Sequence, residues 1–338
     1  MAKNVEIKDN RIYKLDKKDA GKVLAKKFKK IFRYEKIKRH ILRRRYKMAL
    51  DTLYIEFTSS CNLRCQMCPV GMGSDEAKRG FLSVDLFKKI INYIKETPDI
   101  YVGSIFLWQA GEILMHPRLG EMLRFLGEAK KSCRVFPKVH FLTNVALLTK
   151  EKAGIVLDSD SIDEVYFSID HGNKQGFEEM RRGAIWEDVI GKANDFIDLK
   201  NKKGKKVKTG IFCITSLSDN SLVFSDDFLS LVRRIDYFHP RESHNWDGSQ
   251  AGLNLGKYAV SDMEPKKGLC NRIENVMAVL ANGVVVPCCQ DLLGKGAMGD
   301  LNKEILLEIY NGEIRRKMIG LLRDGMRDKV ELCKNCAL

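Results

Sequence analysis

Hydrophobic and polar positions along this chain change period near residue 51. Before it, Leu24, Phe28, Ile31 and Phe32 recur at helical spacing, as do Ile37, Ile41 and Leu42, with lysines and arginines between them. The pattern predicts a basic helix or helix pair over 17–49, with a slip of phase near Glu35 and Lys36. From residue 51, short β-type runs alternate with helical segments. The strands read as 52–58 (TLYIEFT), 104–109 (SIFLWQ), 138–144 (KVHFLTN), 164–170 (EVYFSID), 208–215 (KTGIFCIT) and 236–242 (DYFHPRE). Between them the pattern predicts helices from an N-cap at Ser83 to about Lys95, over about 118–131, from Thr149, over about 185–203 and over about 225–234. Strands and helices alternating at this spacing form parallel βα units. Periodicity leaves both an open barrel and a doubly wound sheet possible.

The polar residues at strand ends narrow the picture, because parallel α/β folds collect reactive groups at the C-terminal ends of their strands. The first strand runs into Cys61-x3-Cys65-x2-Cys68, the second into Gly111-Glu112, the third into Thr143-Asn144, and the fourth ends on Ser168 and Asp170. Three thiolates on one short loop hold three irons of a cubane cluster and leave the fourth open. A closed structural zinc site takes four ligands, usually as two pairs, and this loop brings three with no histidine nearby.

With this cysteine spacing the chain resembles the radical S-adenosylmethionine (SAM) superfamily, in which the open iron is chelated by the amino and carboxylate groups of SAM. The resemblance implies an α/β fold, a partial (β/α)6 barrel, and a cluster that reduces SAM to a 5′-deoxyadenosyl radical able to take hydrogen from an unactivated C–H bond. It assigns the SAM amino group to Glu112 in Ala110-Gly111-Glu112, where the family usually carries Gly-Gly-Glu. By the same resemblance Asn144, Ser168 and Asp170 join the SAM site, and Arg181 or Arg182 pairs with the SAM carboxylate.

A second group of cysteines, Cys270-x17-Cys288 and Cys333-x2-Cys336, suits structural zinc by spacing alone. The intervening Gly283-x4-Cys288, Gly299-Asp300-Leu301 and Glu308-Ile309-Tyr310 resemble the auxiliary-cluster domains called SPASM and twitch. Four cysteines rather than seven imply the twitch form, with one auxiliary [4Fe–4S] cluster. Gly294-x-Gly296-x-x-Gly299 matches a dinucleotide fingerprint only formally, because it opens no βαβ unit and lies between cluster cysteines. The expected organisation is a basic arm over 1–50, a core barrel over 51–248 and a twitch/SPASM-like domain over 249–338.

The expected reaction is oxidation or epimerisation of a small polar substrate of sugar or aminocyclitol type. Oxidation uses the auxiliary cluster as acceptor, whereas epimerisation needs a thiol to return hydrogen. Cys213 and Cys289 are the candidate donors, ahead of Cys133; as structural thiols all three simply pack as small hydrophobes. After the last strand, Arg241, Glu242, His244 and Trp246 offer polar and stacking groups toward the open mouth. The rival reading is a maturase acting on a ribosomal peptide or a partner enzyme.

Charge adds one qualification. The formal charge of +15 is concentrated in residues 1–50, with 19 Lys+Arg against 5 Asp+Glu, while the remainder holds 40 against 39. A neutral body argues against a nucleic-acid-binding face on the catalytic part. The basic, apolar-studded stretch 17–49 suits an anionic membrane surface, with a solvated helix or an RNA contact as the alternatives. No apolar run is long enough to span a bilayer and the N-terminus lacks a signal-peptide core, so a cytoplasmic enzyme is expected, with any membrane association resting on that stretch. An external electron donor such as flavodoxin or ferredoxin completes the expected partners.

Overall fold

The computed structural model describes residues 5–8, 11–14, 37–71, 73, 79–215, 223–241, 246 and 268–336. The expected helix over 17–36, along with Glu242 and His244, lies outside them; residues 37–45 are helical (α1). An N-terminal hairpin of β1 (Val5–Lys8) and β2 (Arg11–Lys14), not foreseen from the sequence, is antiparallel.

The main sheet begins with β3 (Met48–Ile55), four residues earlier than the hydrophobic run suggested. It continues through β4 (Ile100–Leu107), β5 (Lys138–Thr143), β6 (Glu164–Ser168), β7 (Lys208–Ile214) and β8 (Tyr237–Arg241). These six strands are parallel and lie side by side in chain order. Sequential order without a reversal excludes the doubly wound sheet. Right-handed crossovers then put every connecting helix on one face and leave the other face as a barrel interior.

The helices form for local reasons. Ser83 Oγ accepts from Leu86 N at 3.1 Å at the start of α2 (Val84–Glu96), whose Val84, Phe87, Ile90 and Ile91 form one buried stripe. After α3 (Leu119–Lys131), Thr149 Oγ1 caps α4 (Lys150–Asp158). A short helix α5 (Lys174–Met180), missed by periodicity because it holds only two turns, precedes α6 (Trp186–Lys202); α7 (Asp226–Val232) follows. Their apolar stripes meet the outward phase of the strands, Leu53, Ile55, Ile105, Leu107, Val139, Phe141, Val165, Phe167, Ile211 and Cys213, in one core.

The C-terminal part is continuous with this sheet. Beyond α8 (Asn271–Asn275), β9 (Val276–Val279) pairs parallel with β3; β10 (Val284–Val286) and β11 (Gly299–Asp300) extend the sheet antiparallel. Helices α9 (Leu306–Tyr310) and α10 (Glu313–Arg323) follow, and Leu322, Ile273 and Val330 make a small separate core.

Candidate active site

Past Ile55 the chain leaves β3 as a loop held from three sides. Gly111, at φ +68°, lies so close that a Cβ there would come 2.2 Å from Thr58 O, and Glu112 N donates to Ser60 O at 2.8 Å. Only glycine tolerates both the conformation and the approach. The residues closing α5 hold a second side: Arg64 N donates to Arg182 O and Gln66 N to Met180 O, at 2.9 and 3.0 Å. On the third, Trp246 Nε1 donates to Met67 O at 2.8 Å. Gly71 packs on the backbone of Cys65, where a Cβ would stand 2.7 Å from its N and O.

Cys61, Cys65 and Cys68 are thereby gathered in a mostly apolar setting. Burial pushes the Cys61 thiol to about 11 and the Cys65 thiol to about 12, and raises Cys68 as well. Desolvated thiols of this kind ionise when a metal supplies the missing charge. Asn144 Nδ2 donates to Cys61 Sγ at 3.8 Å, and Arg181 adds a nearby positive charge to Cys65 and Cys61. Three soft donors with a hydrogen-bond donor and a cation beside them fit an iron–sulfur cluster.

The polar strand ends surround this loop. Glu112 is buried; its carboxylate accepts from Thr143 Oγ1 (2.8 Å), Asn144 N (2.7 Å) and Leu114 N (3.1 Å), leaving about one acceptor position for a ligand. Burial raises its pKa against those hydrogen bonds. Asp170, also buried, takes Arg181 Nε and Ile214 N, each at 2.6 Å. Burial works against the charge on Arg181, but Asp170 and the neighbouring Cys65 hold it above the usual guanidinium range. Of the two candidate arginines, Arg181 is therefore inside the site, fixed by Asp170, while the Arg182 side chain is exposed. Ser168 is buried at the end of β6.

The second cysteine group also converges. Cys270, Cys288, Cys333 and Cys336 line one recess together with Arg272 and Arg327, although the chain between Cys288 and Cys333 first passes through β11 and two further helices. Arg327 Nε and Nη2 donate to Cys333 O and Cys336 O at 3.1 and 3.2 Å. Asp291 accepts from the N–H groups of Gly294, Lys295 and Gly296 at 2.7–2.9 Å. The glycines of the formal dinucleotide fingerprint thus shape a turn around one buried carboxylate. Four thiols around one recess with buried polar support fit a second cluster.

The inward phase of the strands carries aromatic and polar side chains: Tyr54, Phe106, His140, Tyr166, Phe212 and His239 interact in sequence across β3 to β8. The alternation of these residues with the core phase is a period of two that sequence reading alone could have separated. Cys289 adjoins this wall. Its Sγ accepts from Arg272 Nη1 at 3.0 Å, and Gln109, just after β4, donates to the carbonyls of Cys289 and Asp291 at 3.2 and 3.3 Å. The hydrogen bond with Cys288 draws Cys289 down to about 6 against its burial, with Arg272 assisting, while Cys288 moves up. Cys213 lies instead in the outward phase of β7, fully buried beneath the helices, and Cys133 is a half-buried thiol at the end of α3.

Residues 270–337 match the iron–sulfur cluster-binding domain called SPASM. Over 121 residues, 35% of this chain and 30% of the relative, the chain is 40% identical to the tungsten-containing aldehyde ferredoxin oxidoreductase cofactor-modifying protein of Pyrococcus furiosus. Over 67 residues, 20% of this chain and 27% of the relative, it is 31% identical to the S-adenosyl-L-methionine-dependent 2-deoxy-scyllo-inosamine dehydrogenase of Niallia circulans. These alignments thus span less than a third of either relative. Among solved structures, BtrN in complex with AdoMet and 2-DOIA superposes with a TM-score of 0.56 at 17% identity, covering 85% of this chain and 92% of that one. Streptococcus suis SuiB bound to its precursor peptide SuiA gives 0.59 at 16% identity, covering 86% and 71%. Residues 55–229, more than half of the chain, match the radical SAM superfamily. This protein therefore belongs to the radical SAM superfamily, and its cofactors are the [4Fe–4S] cluster and SAM of that family and an auxiliary iron–sulfur cluster in the SPASM region.

Proposed function

We propose that the enzyme oxidises a small polar substrate held in the barrel interior, with Cys61, Cys65 and Cys68 carrying the SAM cluster and Cys270, Cys288, Cys333 and Cys336 the auxiliary one. When bound, the first cluster and SAM supply the 5′-deoxyadenosyl radical. The residues of the chain position and shield. Glu112 and the Arg181–Asp170 pair form the polar floor beside the cysteine loop, and the aromatic wall excludes water from the space above it. Removal of two hydrogens from an alcohol releases two electrons and two protons. One electron leaves with the hydrogen atom taken by the adenosyl radical, and the other needs an acceptor.

The observation that carries the reading is the placement of the Cys288–Asp291 loop, which Gln109 fastens to the end of β4 so that the four-cysteine recess adjoins the interior. An acceptor next to the substrate space favours oxidation over a redox-neutral reaction. The similarity to the 2-deoxy-scyllo-inosamine dehydrogenase supports the same direction. In the test, iron is counted in anaerobically reconstituted wild type and in a Cys61→Ala/Cys65→Ala/Cys68→Ala variant. Retention of about four irons out of about eight supports a separate auxiliary cluster; a variant without iron refutes the two-cluster mechanism.

A second reading, maturation of a peptide or partner enzyme, is favoured by the 40% identity to the Pyrococcus cofactor-modifying protein. Deuterium transfer from a labelled peptide into 5′-deoxyadenosine, with none from polyols, would select it. A membrane-surface role for the basic arm draws on α1, where Ile37 and Ile41 are exposed beside Arg44 and Arg45. Among the described residues no helix is long and apolar enough to cross a membrane. Flotation with liposomes, indifferent to anionic lipid and to salt, would remove that role.

A further inference from the structure

The aromatic wall ends on an arginine that pairs with no carboxylate among the described residues. Phe212 on β7 stacks on Tyr166 of β6, with ring centroids 4.4 Å apart and planes within 1° of parallel. On the β8 side, the guanidinium of Arg241 lies 3.8 Å from the Phe212 centroid. Stacking of this kind fixes the guanidinium plane while leaving its N–H edge free to donate. Arg241 shares the inward phase of β8 with His239, its side chain is exposed, and it forms no ion pair among the described residues.

Among the described residues, the charges around it are engaged elsewhere. Glu164 on β6 is engaged by the Tyr166 hydroxyl at 2.5 Å. Cys289, the other acidic group on this side, is engaged by Arg272. Arg272 is itself near enough to Arg241 to repel its charge, so the neighbourhood carries two guanidiniums. Burial and Arg241 lower the pKa of His239, and an imidazole brings no negative charge. A cation held over an aromatic ring, beside a second cation and open to the chamber, is a receptor for an oxyanion.

We propose that Arg241, stacked on Phe212 and backed by Arg272, anchors an anionic oxygen group of the substrate, a carboxylate or a phosphate monoester, so that the substrate is an acidic polyol or sugar rather than a neutral one. This rests on the reading of the interior as the chamber for a small polar substrate. The planar fork of Arg241 pairs two oxygens at once, which fixes both the position and the rotation of a small molecule. An anchored anion at the β8 side leaves the rest of the molecule to extend along the aromatic wall toward the cysteine loop.

The test uses the reconstituted enzyme with both clusters, titrated with inorganic phosphate and, separately, with acetate. Binding is followed by calorimetry and by quenching of tryptophan fluorescence, to which Trp108, 6.2 Å from Phe212, contributes from within the wall. The expected result is phosphate or acetate binding to wild type that weakens at least about tenfold in Arg241→Gln and less in Arg241→Lys, which keeps the charge but loses the fork. Phosphate favoured over acetate identifies a phosphate monoester; the reverse identifies a carboxylate. The basic N-terminal arm contributes equally to all three proteins, so the difference isolates Arg241. Equal binding of both anions to wild type and Arg241→Gln, or no binding to wild type up to tens of millimolar, overturns the anchor. Arg241→Lys guards against misfolding of the glutamine variant, and iron content and circular dichroism report integrity. The two-cluster reading is judged separately, by the iron count of the cysteine variants, so either can fail alone.

Discussion

Cys61, Cys65 and Cys68 lie within eight residues on one loop, whereas Cys270, Cys288, Cys333 and Cys336 come from segments as much as 66 positions apart. The first group is assembled by chain connectivity and steadied by buried charges on neighbouring elements: Glu112, Asp170 with Arg181, and Glu56 with Arg79. The second is assembled by packing, through a small core of Ile273, Leu322 and Val330 and the carbonyl contacts of Arg327. A site fixed by polar pairs fails when a charge loses its partner. One fixed by a few apolar contacts fails when a methyl group is removed.

The largest effect separates the two groups directly. In Cys61→Ala/Cys65→Ala/Cys68→Ala, SAM cleavage should fall to background while the auxiliary site keeps its iron. In Cys333→Ala/Cys336→Ala, SAM cleavage should persist without substrate turnover, as read by 5′-deoxyadenosine and product in the same chromatogram. Equal loss of both readouts in the second variant would mean that the C-terminal group also sustains the first cluster.

Next comes Glu56, which is fully buried and makes four contacts. Arg79 pairs with both its oxygens at 2.8 and 2.9 Å, while Ala110 N and Ala281 N donate at 3.2 and 3.1 Å. One carboxylate thus joins the segment after the cysteine loop, the Glu112 loop and the end of β9. Glu56→Ala takes this carboxylate from the buried Arg79 guanidinium and from the Ala110 and Ala281 N–H groups at once, and should cost about 3–5 kcal/mol of stability by denaturant unfolding. Leu322→Ala should cost about 2–5 kcal/mol, confined to the C-terminal core. It should release auxiliary iron at lower denaturant than the rest unfolds; one shared transition would show that the two regions unfold as a unit.

The contrast also explains what could be read from the chain. The Cys61 loop, the strand-end residues and the long helices were legible because spacing, caps and period are local properties. Ser83 and Thr149 cap their helices as expected, and the six parallel strands fall where alternation placed them. Convergence of Cys270 with Cys336 was inferred from resemblance, because no local period connects residues so far apart. Nothing local announces that β9 joins β3 or that Asp170 engages Arg181. Both are decided by which surfaces meet after collapse. The Arg241–Phe212–Tyr166 stack escaped for a related reason: each residue is ordinary in its own strand, and only the register brings them together.

The smallest effect concerns acid sensitivity and sharpens the same distinction from the polar side. His116, buried against the cysteine-loop side of the barrel, uses both ring nitrogens: Nε2 donates to Leu82 O at 2.9 Å and Nδ1 accepts from Arg118 N at 3.2 Å. Protonation at Nδ1 would forfeit the second bond, and burial already lowers the pKa below its ordinary value. The unfolded chain therefore takes up a proton near pH 6.5 that the folded one still refuses, so unfolding binds protons and stability falls as pH drops below about 6.5. His140 and His239, also lowered by burial, add to the same slope. His116→Gln, which retains a donor toward Leu82 without a titrating ring, should make the melting temperature decline less between pH 6.5 and 5 than in wild type. An unchanged slope would move the acid sensitivity to the interior histidines and leave the cysteine-loop side of the barrel indifferent to pH in this range.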